Sequence, residues 1–471
     1  MIPFLAVAAI ELTGLGVMAL VVRGPWRYGA VLRAGLGFGV GLVTFAAGLF
    51  LASYAGLGIR AAGSAIVVVA LALGGRRLVR AEAWRPLDVP PEAPAAGRPL
   101  VVAALALMAG VLVSTTMTSL LEPVVEWDVV AIWALKAKVL LAGPVRGAAY
   151  FQDLDLAYSH LDYPLLWPFA MAWSWSWTAW PTDIEAPKAL GPALLLALAA
   201  AFYGLARTRA DRGQALLFTT VLLGLPMVTS QTARLLADAP FAYLLLGAAG
   251  CVELWLRDGD ADMLRLGGLL AAGVLLTKNE GLAAVACLAV ATGVTLAVTR
   301  SRTQWRSAVL WLVVVPFAIA MPWLLFRTTI PKVHENYGTL LNPVNVVLSL
   351  HRLPDVLRNL ALYVAAPADW VLLWPALALT FALGIRRGLK GPLLVLPLTA
   401  ILLLCVYVAV FTVSPWNPRA LAETSAARLL LHVAPTLLLG ACAVVAGAPG
   451  AASAPAAAAA GTPRKRRRSG R

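Results

Sequence analysis

The sequence predicts an all-α protein, a polytopic transmembrane helical bundle of about 13 spans. Three observations carry this. First, 61% of the 471 residues are hydrophobic and only 13% are charged, against roughly 45–50% and 25% in soluble domains. A soluble chain of that composition would expose large apolar patches. Second, the apolar residues form continuous runs, such as LVVAALALMAGVLVSTTMTSLL over 100–121, rather than alternating. In hydrocarbon the backbone must satisfy its own polar groups, which leaves helices or closed barrels, and continuous runs select helices. Third, Arg and Lys gather in short segments between the runs: Arg23/Arg27, Arg76/Arg77/Arg80, Arg207/Arg209/Arg212, Arg300/Arg302/Arg306 and Arg386/Arg387/Lys390. That is the positive-inside pattern. It accounts for the net charge of +15 without nucleic acid as a partner.

A spanning helix needs about 20 apolar residues. The runs place spans near 2–22, 29–51, 61–75, 100–120, 186–206, 214–231, 239–256, 264–277, 281–298, 308–326, 369–385, 392–413 and 429–447. The first run lacks a basic leader and a small-residue cleavage site, so it reads as a retained span. The linker 81–99, rich in Pro and Ala, reads as cytoplasmic and irregular, and the tail 448–471, Ala-rich and then basic, as a disordered cytoplasmic extension. Residues 1–80 read as N-terminal helices additional to the main unit, 100–447. Four Cys (251, 287, 405, 442) lie in or at the ends of apolar runs without a CxxC pair and read as packing residues.

Keeping the tail RKRRR (464–468) in the cytoplasm and alternating backwards puts the basic clusters on that side. All four His (160, 334, 351, 432) then face outward, with Glu126, Asp128, Asp153, Asp155, Asp162, Asp183, Asp238, Glu280 and Glu335. Ionisable groups gathered on one face of a membrane protein mark a functional site by default. The first outer loop, 121–185, holds two juxtamembrane segments. The run 129–142 sets Val129, Ile132, Trp133, Val139 and Leu140 around Lys136 and Lys138, as in a helix lying along the interface. The segment 163–180 carries Trp167, Trp173, Trp175, Trp177 and Trp180, as in a headgroup-level aromatic belt. The other outer loops are 327–368 and 414–428.

Several residues there carry chemistry. Glu126 and Asp128, one residue apart just past a span, can chelate a divalent cation such as Mg or Mn, or divide base and orienting roles; taken alone they are also ordinary loop acids. His160 and Asp162, followed by Tyr163 and Pro164, offer a second imidazole and carboxylate in the same loop. Asp238 precedes Pro240 at the outer end of a span, where an Asp is also a common helix cap. Lys278 and Glu280 sit in a turn interrupting 35 apolar residues, and a Lys at that position is a natural anion ligand. Arg428 and His432 lie one helical turn apart, and with Arg419 and Lys332 offer a clamp for a phosphate. There is no P-loop, GxGxxG or nucleophile elbow.

In order and spacing these motifs resemble the GT-C glycosyltransferases, the membrane superfamily that includes protein O-mannosyltransferases and the aminoarabinose and galacturonate transferases of lipid A. The similarity rests on Trp127-Asp128-Val129-Val130-Ala131-Ile132-Trp133-Ala134-Leu135-Lys136-Ala137-Lys138, on His160-Leu161-Asp162-Tyr163-Pro164-Leu165-Leu166, and on Thr424-Ser425-Ala426-Ala427-Arg428-Leu429-Leu430-Leu431, within 100–447. The resemblance implies an inverting enzyme of the cytoplasmic (inner) membrane with its site facing the periplasm or exterior. A sugar would pass from a polyprenyl-phosphate donor to a glycan, lipid or protein acceptor. By the same resemblance Asp128 is the base, Asp238 the second acid, and Lys278 and Arg428 neutralise the leaving phosphate. Loop 327–368 carries no appended domain, and the paired-acid motif is Glu126–Asp128 rather than a full DxD, leaving metal dependence open. The alternative from another class is a transporter or flippase without group transfer, which should show repeat symmetry and charges near mid-membrane.

Overall fold

The computed structural model describes residues 2–79, 98–178, 185–299, 302–331, 337–386 and 391–447. Among them every regular element is a helix. The chain begins with α1 (Ile2–Val21), α2 (Gly29–Tyr54) and α3 (Ile59–Leu78), and continues after the linker with α4 (Arg98–Leu121). Two short helices follow, α5 (Leu135–Ala142) and α6 (Leu166–Trp175). Then come α7 (Leu190–Arg207), α8 (Arg212–Leu223), α9 (Pro226–Ala233), α10 (Asp238–Asp258), α11 (Ala261–Thr277) and α12 (Gly281–Val298). A helix with a π-turn at Leu310–Val314 joins α13 (Trp305–Val309) to α14 (Val315–Arg327). The short helices α15 (Tyr337–Leu340), α16 (Pro343–Ser349), α17 (Leu353–Val364) and α18 (Pro367–Trp370) lead to α19 (Leu373–Arg386), α20 (Val395–Val413) and α21 (Pro418–Ala446).

Among the described residues, ten helices are long and apolar enough to cross a membrane, or eleven if α8 and α9 count as one span bent by 62°. The chain is a multi-pass helical membrane bundle, with fewer full-length spans than the about 13 expected. Three expected spans differ, each for a local reason. The run 214–231 breaks at Leu225, which is extended ahead of Pro226, because Pro has no N–H to continue the ladder and its ring disfavours a helical predecessor. The expected 369–385 span begins only at Leu373, after Val371 takes the left-handed φ of 54°. The 264–277 segment forms a 17-residue helix, about 25 Å long at 1.5 Å per residue and shorter than a ~30 Å hydrocarbon core. The last span instead starts earlier than expected, at Pro418, where the Asn417 side chain caps the Arg419 amide at 2.9 Å.

The most buried of the membrane-length helices is α10, packed among α7, α11 and α21, while α4 faces outward along most of its length. The N-terminal helices are not an appendage. They share one hydrophobic core with the rest, and the Tyr243 hydroxyl of α10 receives the Gly39 amide at 2.8 Å. Small residues let α1 and α2 touch backbone to backbone: a Cβ on Gly41 would meet the Ile10 carbonyl oxygen at 2.0 Å. The aromatic segment is also internal. All of α6 is buried, and its indoles bond inward, Trp167 Nε1 to the Leu235 carbonyl and Trp173 Nε1 to the Ala6 carbonyl, each at 2.7 Å. The headgroup belt expected there is thus a core helix; of its described Trp residues only Trp177, past the helix end, is exposed.

Two ends of the bundle are defined by contacts between loops. At one, the amides of Arg23 and Gly24 donate to Asp262, Tyr28 bonds Asp258 and Asp260, and Arg257 reaches the Thr208 carbonyl. Arg209 pairs with Glu253 there. This is the basic end, yet it also carries acids, so carboxylates are not confined to the opposite face. At the other end, the Val145 amide bonds Ser53 Oγ and Gln152 bonds the Thr329 carbonyl. Arg80, most of the linker 81–99, Trp180, Asp183, Arg300, Lys332, His334, Glu335, Arg387, Lys390 and the tail 448–471 lie outside the described residues.

Candidate active site

The second end gathers most of the residues singled out above. Asp128 stands at the start of a π-helical stretch, Val129–Ala134, that runs into α5. π-turns widen the helix by one residue and recur at functional sites. The Asp128 carboxylate contacts the Arg428 guanidinium, supplied by α21. Both are partly exposed, so the pair borders solvent. Arg428 also feels the field of Asp238.

Beneath this pair lies a buried chain. Asp238, first residue of α10 and 1% exposed, accepts from Lys278 Nζ at 2.7 Å and from His432 Nε2 at 2.9 Å. His432 is fully buried, its ring 4.0 Å from that of Phe241, and its Nδ1 lies 2.6 Å from the Tyr407 hydroxyl. With Nε2–H donating to an ionised Asp238, Nδ1 of the neutral ring accepts the Tyr407 proton. Lys278 follows the end of α11, and its ammonium lies 3.4 Å from Glu280. Burial disfavours that ammonium, but Asp238 and Glu280 outweigh it and hold the Lys278 pKa above its ordinary value.

The turn Lys278-Asn279-Glu280 also ties in the first outer loop. Asn279 Nδ2 donates to Asp162 Oδ2 at 2.9 Å, and Arg327, at the end of α14, pairs with the same oxygen at 2.8 Å. Tyr163 stacks on His160 (centroids 4.5 Å) and on Trp133 (5.6 Å). That stack joins the His160-x-Asp162 segment to the helix following Asp128. His160 takes a left-handed φ of 50° and Leu235, before α10, one of 62°, conformations that a non-glycine residue holds only when its surroundings enforce them. Three buried polar atoms around the cluster have no protein partner, namely Trp133 Nε1, Asn279 Oδ1 and Glu280 Oε2.

The structure thus brings Asp128, Asp162, Asp238, Lys278, Glu280, Arg428 and His432 into one neighbourhood, with His160 and Tyr163 stacked beside it. Glu126 stands apart on a pair with Arg234 at 2.8 Å. Two expected ligands take other places. Lys136 is fully buried rather than interfacial, donating to the Ser159 carbonyl and lying 5.8 Å above the Tyr150 ring; burial pushes its pKa down to about 7. Lys138 is half-buried on the same helix and joins none of these ion pairs, and Arg419 is exposed. Arg234, Arg327, Asn279 and Tyr407 were not singled out by the sequence. Only Asn279 carried a local signal, its place in the polar turn.

Comparison with known protein families, curated proteins and solved structures gives no match.

Proposed function

We propose that the protein is an inverting GT-C-type glycosyltransferase of the cytoplasmic membrane, moving a sugar from a polyprenyl-phosphate donor to an acceptor on the outer face. One observation carries the reading: a partly exposed carboxylate, Asp128, touches a guanidinium, Arg428, that lies within the field of a second cation, Lys278. Inversion at an anomeric carbon asks for a base on one side and a cationic phosphate site on the other.

In this mechanism Asp128 accepts the proton of the acceptor hydroxyl as its oxygen bonds to the anomeric carbon. The bond from that carbon to the phosphate oxygen breaks, and the phosphate leaves with the electron pair toward Arg428 and Lys278. Asp238 has no open path to a substrate. It serves by fixing the Lys278 ammonium, with His432 and Tyr407 holding Asp238 in turn. While Arg428 is engaged by Asp128, the carboxylate oxygen is occupied and is not free to receive the acceptor's proton. An arriving phosphate competes for the guanidinium, since phosphate and carboxylate suit the same bidentate donor, and its binding releases Asp128 for proton transfer.

A divalent cation does not fit. Glu126 and Asp128 each already face a guanidinium, and among the described residues no group of three His, Cys, Asp or Glu side chains is placed to hold a metal ion. No step here runs through a metal.

The test is sugar transfer in proteoliposomes supplied with a panel of polyprenyl-phosphate hexoses and pentoses and envelope lipid extract as acceptor. Wild type transfers and Asp128→Asn does not; equal transfer by both removes Asp128 as base. A second reading, a transporter, draws on Glu11, midway along α1 and half-buried with Oε1 unpartnered. An ionisable residue there suits ion coupling. Lipid or ion flux lost in Glu11→Gln, with no transfer in wild type, would favour it.

A further inference from the structure

Resting on the glycosyltransferase reading, we propose that the acceptor is a saccharide, and that its sugar ring stacks on a platform formed by Trp127 and Tyr158. Trp127 lies between the two carboxylates of the Glu126–Asp128 pair and is 66% exposed; Tyr158 is 49% exposed. Their ring centroids are 5.9 Å apart at an interplanar angle of 46°. The two come from different parts of the outer loop, so the fold assembles a continuous aromatic surface that neither segment has alone.

The surroundings fit a sugar better than a lipid. A Trp that anchors a protein at the interface has its ring between headgroups and an apolar neighbourhood. Here Trp127 is the residue between Glu126 and Asp128 in the chain, whose side chains are 35% and 28% exposed, with Arg234 against the first and Arg428 against the second. A pyranose or furanose presents an apolar C–H face to an aromatic ring and a rim of hydroxyls around it. Trp127 and Tyr158 supply the apolar face, while the carboxylates and the Arg234 guanidinium supply charge-assisted hydrogen bonds for the rim.

Position identifies this sugar as the acceptor. Asp128, the proposed base, follows Trp127 directly, so their Cα atoms are about 3.8 Å apart and the platform is anchored within about one sugar ring's width of the residue that takes the proton. The donor phosphate belongs with Lys278 and Arg428, on the other side of that carboxylate. Trp127 and Tyr158 are binding residues and take no part in bond making.

Saturation-transfer NMR tests this on the full chain in lipid nanodiscs free of glycoside detergents, with methyl α-D-mannopyranoside and methyl β-D-galactopyranoside as probes and glycerol as control. Wild type should give transfer to the ring protons of at least one glycoside and none to glycerol. Trp127→Ala and Tyr158→Ala should each reduce it about tenfold, the size of one lost aromatic contact, and Trp127→Phe should retain most of it. No glycoside signal in wild type, or an equal signal in Trp127→Ala, overturns the platform; the latter would leave Trp127 a membrane anchor. The two readings fail separately. Loss of sugar transfer in Asp128→Asn with no platform signal would sink only this inference, and an intact platform with unimpaired transfer by Asp128→Asn would sink only the base.

Discussion

The Asp128 carboxylate and the Arg428 guanidinium, 300 positions apart in the chain, are in direct contact at the candidate-site end of the bundle. The contact locks the start of the 129–134 π-helical stretch to α21, and it occupies the cation to which the proposed mechanism assigns the leaving phosphate. Substituting Arg428 should therefore act on donor binding. Arg428→Lys keeps the charge but loses the planar fork, and should raise the donor KM about tenfold while Arg428→Ala costs more. Combined with Asp128→Asn, either change should add little, because both act on one unit. Steady-state kinetics with varied polyprenyl-phosphate sugar reads this out.

Asp238 and Lys278 form a buried pair. Removing one member leaves an uncompensated charge, which costs about 3–5 kcal/mol in such settings. Lys278→Met should lower the thermal unfolding midpoint of the purified protein strongly, and the double variant Lys278→Met, Asp238→Asn should recover most of the loss. A double variant no more stable than the single one would deny that these two groups depend on each other.

Lys136 titrates below its ordinary range, near 7, because its ammonium is buried. The unfolded chain keeps a lysine pKa of about 10.4. Between those values the unfolded state binds the extra proton, so stability rises with pH across that window and the contribution is complete only above it. Thermal midpoints measured at pH 7 and 9 should rise more for wild type than for Lys136→Met. Parallel shifts would place the lysine outside the buried environment described here.

The backbone contact between α1 and α2 leaves no room for a side chain. Gly41→Leu should force α1 away from α2, since a Cβ alone would come within 2.0 Å of the Ile10 carbonyl. Gly56, with nothing within 4 Å of an added Cβ but a φ of +90°, should tolerate Ala with a far smaller penalty. Monodisperse yield on size-exclusion chromatography separates the two cases.

Much of this was legible in the sequence, for a physical reason. Hydropathy is a summed property, so runs such as 2–22 and 281–298 return as helices within a residue or so of their expected bounds. The broken 214–231 span had its own signal in Gly224-Leu225-Pro226. Motif order also pointed to Asp128, Asp162, Lys278 and Arg428 as neighbours. Side-chain depth was not legible. Trp167 and Trp173 have the composition of an interfacial belt, yet α6 is buried because Leu235 and Ala6 offer carbonyls to their indoles. Lys136 sits where an interfacial helix would show its charge, yet it is buried with the Ser159 carbonyl, 23 residues along the chain, accepting its hydrogen bond. Arg234, Arg327 and Tyr407 acquire meaning only through partners distant in sequence, which no local pattern encodes.

The central claim is that Asp128 is the base of a sugar transfer carried out at this end of the bundle. It is tested most directly by mass spectrometry of envelope glycans and glycolipids from cells expressing wild type, Asp128→Asn or no copy. A saccharide product present only with wild type, at equal membrane levels of the two proteins, is the predicted result. The same product from the Asp128→Asn cells would contradict it.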